Sequence, residues 1–176
     1  MRTDYKIIIG VVLATGILIA GGAWLSSSKG EKEKERLSQE PLGEAFTILN
    51  SSHVREGVEH APYNSNPPTS GEHWAGTAGP GIKSEPAPDE LVLHSMEHGA
   101  AVLWYRADLP EGEIDRLKKA FGEAEGKKIM LARKDLDVPA TLTSWGYLLK
   151  LETIDEAKIV AFIETNNDRA PEKAPI

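Results

Sequence analysis

All five histidines of this 176-residue chain, His53, His60, His73, His94 and His98, lie in one stretch, and there is no cysteine anywhere. Disulfide, thiolate ligation and cysteine nucleophiles are therefore excluded. Imidazoles gathered in one segment of such a chain suit a divalent transition metal or a reaction centre. The densest piece is His94-Ser95-Met96-Glu97-His98-Gly99. In a helix, His94 and His98 stand one turn apart on one face with Glu97 beside them, a spacing that offers two imidazoles to one ion. The same letters fit H-x-x-E-H, in which the glutamate is the general base of a zinc peptidase; that chemistry needs a further glutamate, for which Glu164 is a distant candidate. In a strand, His94, Met96 and His98 share a face instead, a set suited to copper.

The remaining histidines differ in their surroundings. His73 follows Pro67-Pro68-Thr69-Ser70-Gly71, a stiffened turn able to aim it inward. His73, His94 and His98 are the first choices as metal ligands and His53 the next, with Glu97 as base if the site is catalytic. Such a set, without thiolate, suits zinc and copper(II) equally. His60 follows Glu59 in a polar stretch and is expected at the surface, and Met96 in the core. Trp104, Tyr105 and Trp145 are read as core or pocket wall. Ser70 and Ser95 lack a nucleophile-elbow sequence, which argues against a serine hydrolase.

The elements that must position these residues follow from periodicity. Ala45 to Leu49 is β-prone and ends at Asn50-Ser51-Ser52. From Val58 to Pro88 no apolar periodicity survives, and Pro62, Pro67, Pro68, Pro80, Pro86 and Pro88 exclude regular helix, so a long Pro/Gly-rich loop carries His60 and His73. Asp89 to His98 reads as a short helix, with Asp89 as N-cap and Gly99 as terminating glycine. Ala100 to Tyr105 is a buried strand, and an amphipathic helix with Ile114, Leu117 and Phe121 on one face opens at Pro110. Lys128 to Arg133 and Thr141 to Leu151 read as two strands joined by a turn at Asp137-Val138-Pro139. Asp155 to Asn166 reads as a last helix burying Ile159, Phe162 and Ile163, and the polar tail beyond it is expected to be loose. The fold class is α+β, a single small mixed β-sheet with helices packed on one face.

Ahead of this domain, residues 7–25 form an uncharged apolar run flanked by Lys6 and Ser26-Ser27-Ser28-Lys29. As a helix it spans about the 30 Å hydrocarbon core of a bilayer, which favours a retained membrane anchor over a cleaved signal peptide. Arg2 and Lys6 before it favour the C-terminal domain outside the cytoplasm, on a single-pass anchor in the cytoplasmic membrane. The division expected is residues 1–28 anchor, 29–40 charged stalk, 41–170 extracytoplasmic domain and 171–176 loose tail. A net charge of −7 without a basic patch argues against a nucleic-acid partner. The expected partner is the lipid bilayer, through residues 7–25, and the sequence names no protein partner.

Three blocks carry a resemblance: Asn64-Ser65-Asn66-Pro67-Pro68-Thr69-Ser70-Gly71-Glu72-His73, then His94 to Gly99 running into Val102-Leu103-Trp104-Tyr105, and Thr143-Ser144-Trp145-Gly146. Together they resemble the signature of domain-of-unknown-function family 3105. The resemblance implies a membrane-anchored or exported prokaryotic protein, supplies no reaction, and maps the family's histidines onto His53, His73, His94 and His98. Where Met96 stands the family often has leucine, which weakens a thioether-copper site. The reading is a membrane-anchored extracytoplasmic domain binding zinc or copper through a histidine cluster. Its rivals are a metal-dependent hydrolase with Glu97 as general base and a non-catalytic interaction domain whose histidines brace the loop.

Overall fold

The structure is a computed structural model that describes residues 30–176. The apolar run 7–25 lies outside the described residues. Among those described, no helix is long and apolar enough to cross a membrane. The chain divides into two compact units, Met1–Gln39 and Glu40–Ile176. The described end of the first is a helix over residues 30–38 (α1). Its residues are exposed except Arg36, which is half-buried and pairs with Glu33 at 2.5 Å, the i,i+3 spacing of neighbours on a helix surface.

The second unit is an α+β domain on a six-stranded mixed sheet. In chain order its elements are β1 (Glu44–Ala45), β2 (Gly81–Ile82), α2 (Asp89–Glu97), β3 (Ala101–Arg106), α3 (Glu111–Glu123), β4 (Lys128–Arg133), β5 (Ala140–Ser144), β6 (Tyr147–Leu151) and α4 (Glu156–Asn166). The strands lie in the order β1-β6-β5-β3-β4-β2. β3 and β4 are parallel and α3 links them, whereas β5 runs antiparallel to β3 and returns as β6.

Helices cover both faces of the sheet, not one. Ala101, Leu103, Met130, Ala140 and Leu142 face α3 and α4, where Leu117, Phe121, Ile159, Phe162 and Ile163 are buried. Val102, Trp104, Ile129 and Leu131 face the other way, against Val92, Leu93 and Met96 of α2. The reason is legible in β3 and β4, whose centres are apolar at successive positions, as strands buried on both sides are. Burying each such Leu, Ile or Phe contributes about 1.5–3 kcal/mol. Polar atoms on the α2 face are mostly paired: Trp104 Nε1–H donates to Thr143 Oγ1 at 2.7 Å, and that hydroxyl donates to Met96 Sδ at 3.3 Å.

Three of the differences from the expected element boundaries have a cause in specific contacts or turns. Thr141 to Leu151 is a hairpin rather than one strand, because Trp145-Gly146 supplies a two-residue turn with Gly146 at φ 78°. The strand expected over Ala45 to Leu49 pairs only through Glu44–Ala45; beyond that the Phe46 N–H donates to Gly146 O and the Leu49 N–H to Ser70 Oγ. Pro88, not Asp89, caps α2, since Arg133 holds the Asp89 carboxylate through two donors at 2.5 and 3.0 Å. The tail beyond α4 has no regular structure, yet the Asp168 N–H donates to Gly99 O and the Glu172 N–H to Glu97 O.

Gly99 ends α2 with φ +92°, and a Cβ there meets Asp168 Oδ1 at 2.7 Å and Cα at 2.8 Å. Gly99→Ala should therefore lower unfolding free energy by roughly 1–3 kcal/mol. Gly122, inside α3 with nothing among the described residues within 4 Å of its added Cβ, should instead gain roughly 0.5–1 kcal/mol on mutation to Ala. Urea denaturation of the two variants checks the contrast in sign.

Candidate metal centre

The loop between β1 and α2 is held to the sheet by a few backbone and hydroxyl contacts. The Gly146 N–H of the hairpin turn donates to Thr69 O at 3.0 Å, and the Ala78 N–H donates to Leu91 O and Ser95 Oγ on α2. Pro67 to Gly71 is buried. Gly71 has φ +138°, and a Cβ there falls 2.7 Å from the Tyr63 ring, so only glycine fits. The loop's two limbs meet where His53 and His73 form a parallel bridge, the Val54 N–H donating to His73 O at 2.8 Å. Two histidines 20 positions apart in sequence thus become neighbours, and α2 brings His94 and Glu97 up to them.

Four ligand atoms, one each from His53, His73, His94 and Glu97, lie within 4.8 Å of one another. Points that close lie within about 3 Å of a common centre, against metal–nitrogen bonds of about 2.0–2.1 Å. The ring centroids of His53, His73 and His94 are 4.7 to 5.1 Å apart. His73 and Glu97 are buried, whereas the His53 side chain is 46 % exposed, so the cluster opens to solvent on one side.

The hydrogen bonds fix which nitrogens point inward. His73 Nδ1–H donates to Gly71 O at 2.8 Å and His94 Nδ1–H to Gly76 O at 3.2 Å; a carbonyl can only accept, so in the neutral ring Nε2 of each is the nitrogen that carries the lone pair. A ligand imidazole is oriented in this way by the partner of its other nitrogen. His73 Nε2 is 3.0 Å from Glu97 Oε2, yet the two are not aligned as a hydrogen bond, and this buried nitrogen has no hydrogen-bond partner among the described residues. Burial, and then the repulsion of positive charge on the neighbouring rings of His98, His73 and His53 when they are protonated, hold the His94 imidazole below its ordinary pKa and so favour its neutral form.

The structure does not place His98 in this group. It caps α2, its ring 4.4 Å from that of His94, and its Nδ1–H donates to Pro175 O at 2.7 Å while Nε2 approaches Glu172 Oε2 at 3.2 Å. His94, His98 and Glu172 form a second group of converging ligand atoms. Glu172 carries no signal in the sequence, since it stands in a polar tail far from any histidine. Glu164 lies on α4, across the sheet from the cluster, where its carboxylate accepts from the Glu125 N–H. Met96 is fully buried under α2, away from the imidazoles, because the segment is helical and not extended.

His60 stands apart. Its Nδ1–H donates to Ala61 O at 2.9 Å and Nε2 faces Glu90 at 3.3 Å and the Tyr63 hydroxyl at 3.3 Å. The Ala61 carbonyl and then Glu90 raise its pKa against partial burial. Ser70 and Ser95 are buried and engaged with backbone groups, which gives neither the setting of a nucleophile. Trp104 is core, and Trp145 stands edge-on to His73 at 6.2 Å as a wall of the site.

No curated protein and no solved structure matches the chain significantly. Residues 53–175 match the family described as "Protein of unknown function (DUF3105)", a span that holds every histidine, the whole sheet beyond β1 and the tail glutamate. The chain belongs to that family.

Proposed function

We propose that the domain binds one divalent transition-metal ion, zinc or copper(II), through His53, His73, His94 and Glu97. The observation that carries the reading is the buried pair of His73 Nε2 and Glu97 Oε2, 3.0 Å apart and out of hydrogen-bond alignment. A lone pair and a carboxylate oxygen buried against each other are costly unless a cation lies between them. A proton suits a linear hydrogen bond, whereas an ion off the line between the two atoms suits the arrangement described. Three imidazoles and one carboxylate without sulfur fit zinc or copper(II).

Among the roles for such an ion, retention or delivery is better supported than hydrolysis. A general base must stand off the metal, whereas Glu97 converges with the three imidazoles. The apolar run at 7–25 supports, from sequence alone, a domain carried on the outer face of the cytoplasmic membrane by a charged stalk.

The full chain, loaded with zinc and desalted, should retain one equivalent. His73→Ala or His94→Ala should lose it, and His60→Ala should keep it. Saturation at a hundredfold excess over Kd should stabilise the wild-type fold by about 2.7 kcal/mol. Histidine variants that melt earlier with no metal in any form would instead leave a structural cluster that braces the loop. Glu97→Gln separates ligand from base: the ligand role lowers zinc affinity at least about tenfold, whereas a base role keeps the metal and abolishes turnover.

The metal-stripped chain should also lose stability as pH falls. The depressed pKa of His94 means the unfolded chain takes up a proton near pH 6.5 that the fold refuses, so the contribution is complete above that value and declines below it. His60, with its pKa raised, acts in the opposite direction. Urea midpoints at about pH 7.5 and pH 5 should therefore differ less in His94→Gln than in the wild type; an unchanged difference contradicts the assignment.

A further inference from the structure

Resting on the metal reading above, we propose that His98 and Glu172 form an outer docking position from which the ion passes, by way of His94, to the inner group. Two sets of ligand atoms converge next to each other, His53, His73, His94 and Glu97 within the loop and His94, His98 and Glu172 at the end of α2. His94 belongs to both. Its Nδ1–H is committed to Gly76 O, which leaves Nε2 as its one lone pair, and one lone pair cannot bond two ions at once. The two positions are therefore occupied in turn and not together.

The outer group repeats the inner arrangement at the surface. In each, an imidazole Nδ1–H is held by a backbone carbonyl, Gly71 O for His73 and Pro175 O for His98, and Nε2 faces a carboxylate oxygen, at 3.0 Å for Glu97 and 3.2 Å for Glu172. The difference lies in exposure: the Glu97 side chain is 7 % exposed and that of Glu172 is 51 %. A hydrated ion meets Glu172 first, where it can still keep water ligands, and loses them on moving inward. The tail does not hang free at this point, because the Glu172 N–H donates to Glu97 O at 3.1 Å and Pro175 O accepts from His98. Those backbone contacts seat the carboxylate over the outer imidazole, and the step itself is a ligand exchange at a constant charge on the ion, with His94 the ligand retained throughout.

Stopped-flow transfer of zinc between a fluorescent chelator and the full chain tests this. Glu172→Gln keeps the backbone contacts of the tail and removes the carboxylate. It should slow both uptake and chelator-driven release about tenfold while the chain still holds one equivalent at equilibrium, and His98→Gln should do the same. Exchange at the wild-type rate in both variants overturns the outer position while leaving the inner site standing. Two equivalents in the wild type overturn alternate occupancy. A wild-type chain that retains no zinc overturns the metal reading itself, and the relay with it.

Discussion

Glu97 is a carboxylate buried among imidazoles at the end of a helix, and the loop above it is arranged around that charge. An isolated buried carboxylate costs several kcal/mol, and its electrostatic partners here are rings whose inward nitrogens carry lone pairs of their own. Each of these choices opposes stability in isolation. They become consistent when a cation sits among the four ligand atoms, since it converts lone-pair repulsion into ligation and neutralises the acid.

The scaffold supplies rigidity on the side where precision matters. α2 lies on a strand pair packed on both faces, and the Trp104, Thr143 and Met96 chain of contacts fixes the helix from below. His94 and Glu97 are therefore carried by a firm element, three residues apart on one helical face. His53 and His73 come from a loop without regular structure, tied down at Gly146, Leu91 and Ser95. Sites built partly on loops retain adaptability, and here the most exposed member of the cluster, His53, is on the loop limb. On the proposed metal reading, a centre rigid on one side and adjustable on the other suits an ion that must enter and leave.

Much of this was legible in the sequence. Helical spacing identifies the pairing of His94 with its neighbours, Gly99 marks where α2 stops, and the strands over Lys128 to Arg133 and the helix over Asp155 to Asn166 appear within a residue of their expected ends. The histidine cluster itself follows from residue type and confinement to one segment. What periodicity does not carry is the outcome of long-range contacts. The separation of His98 from the inner group depends on Pro175 and Glu172, which close over it from the far end of the chain. The placement of α2 across the sheet from α3 and α4 depends on which face the loop covers, and the hairpin at Trp145-Gly146 depends on a glycine within an otherwise continuous β pattern.

On the proposed reading, imidazoles and one carboxylate, without sulfur, surround a single ion. X-ray absorption at the metal edge of the zinc- or copper-loaded full chain reads that shell directly. Nitrogen and oxygen scatterers are expected at about 2.0–2.1 Å, with outer-ring scattering from three imidazoles. A sulfur shell at about 2.3 Å, which only a methionine of this chain could supply, or a shell with fewer than two imidazoles, contradicts it.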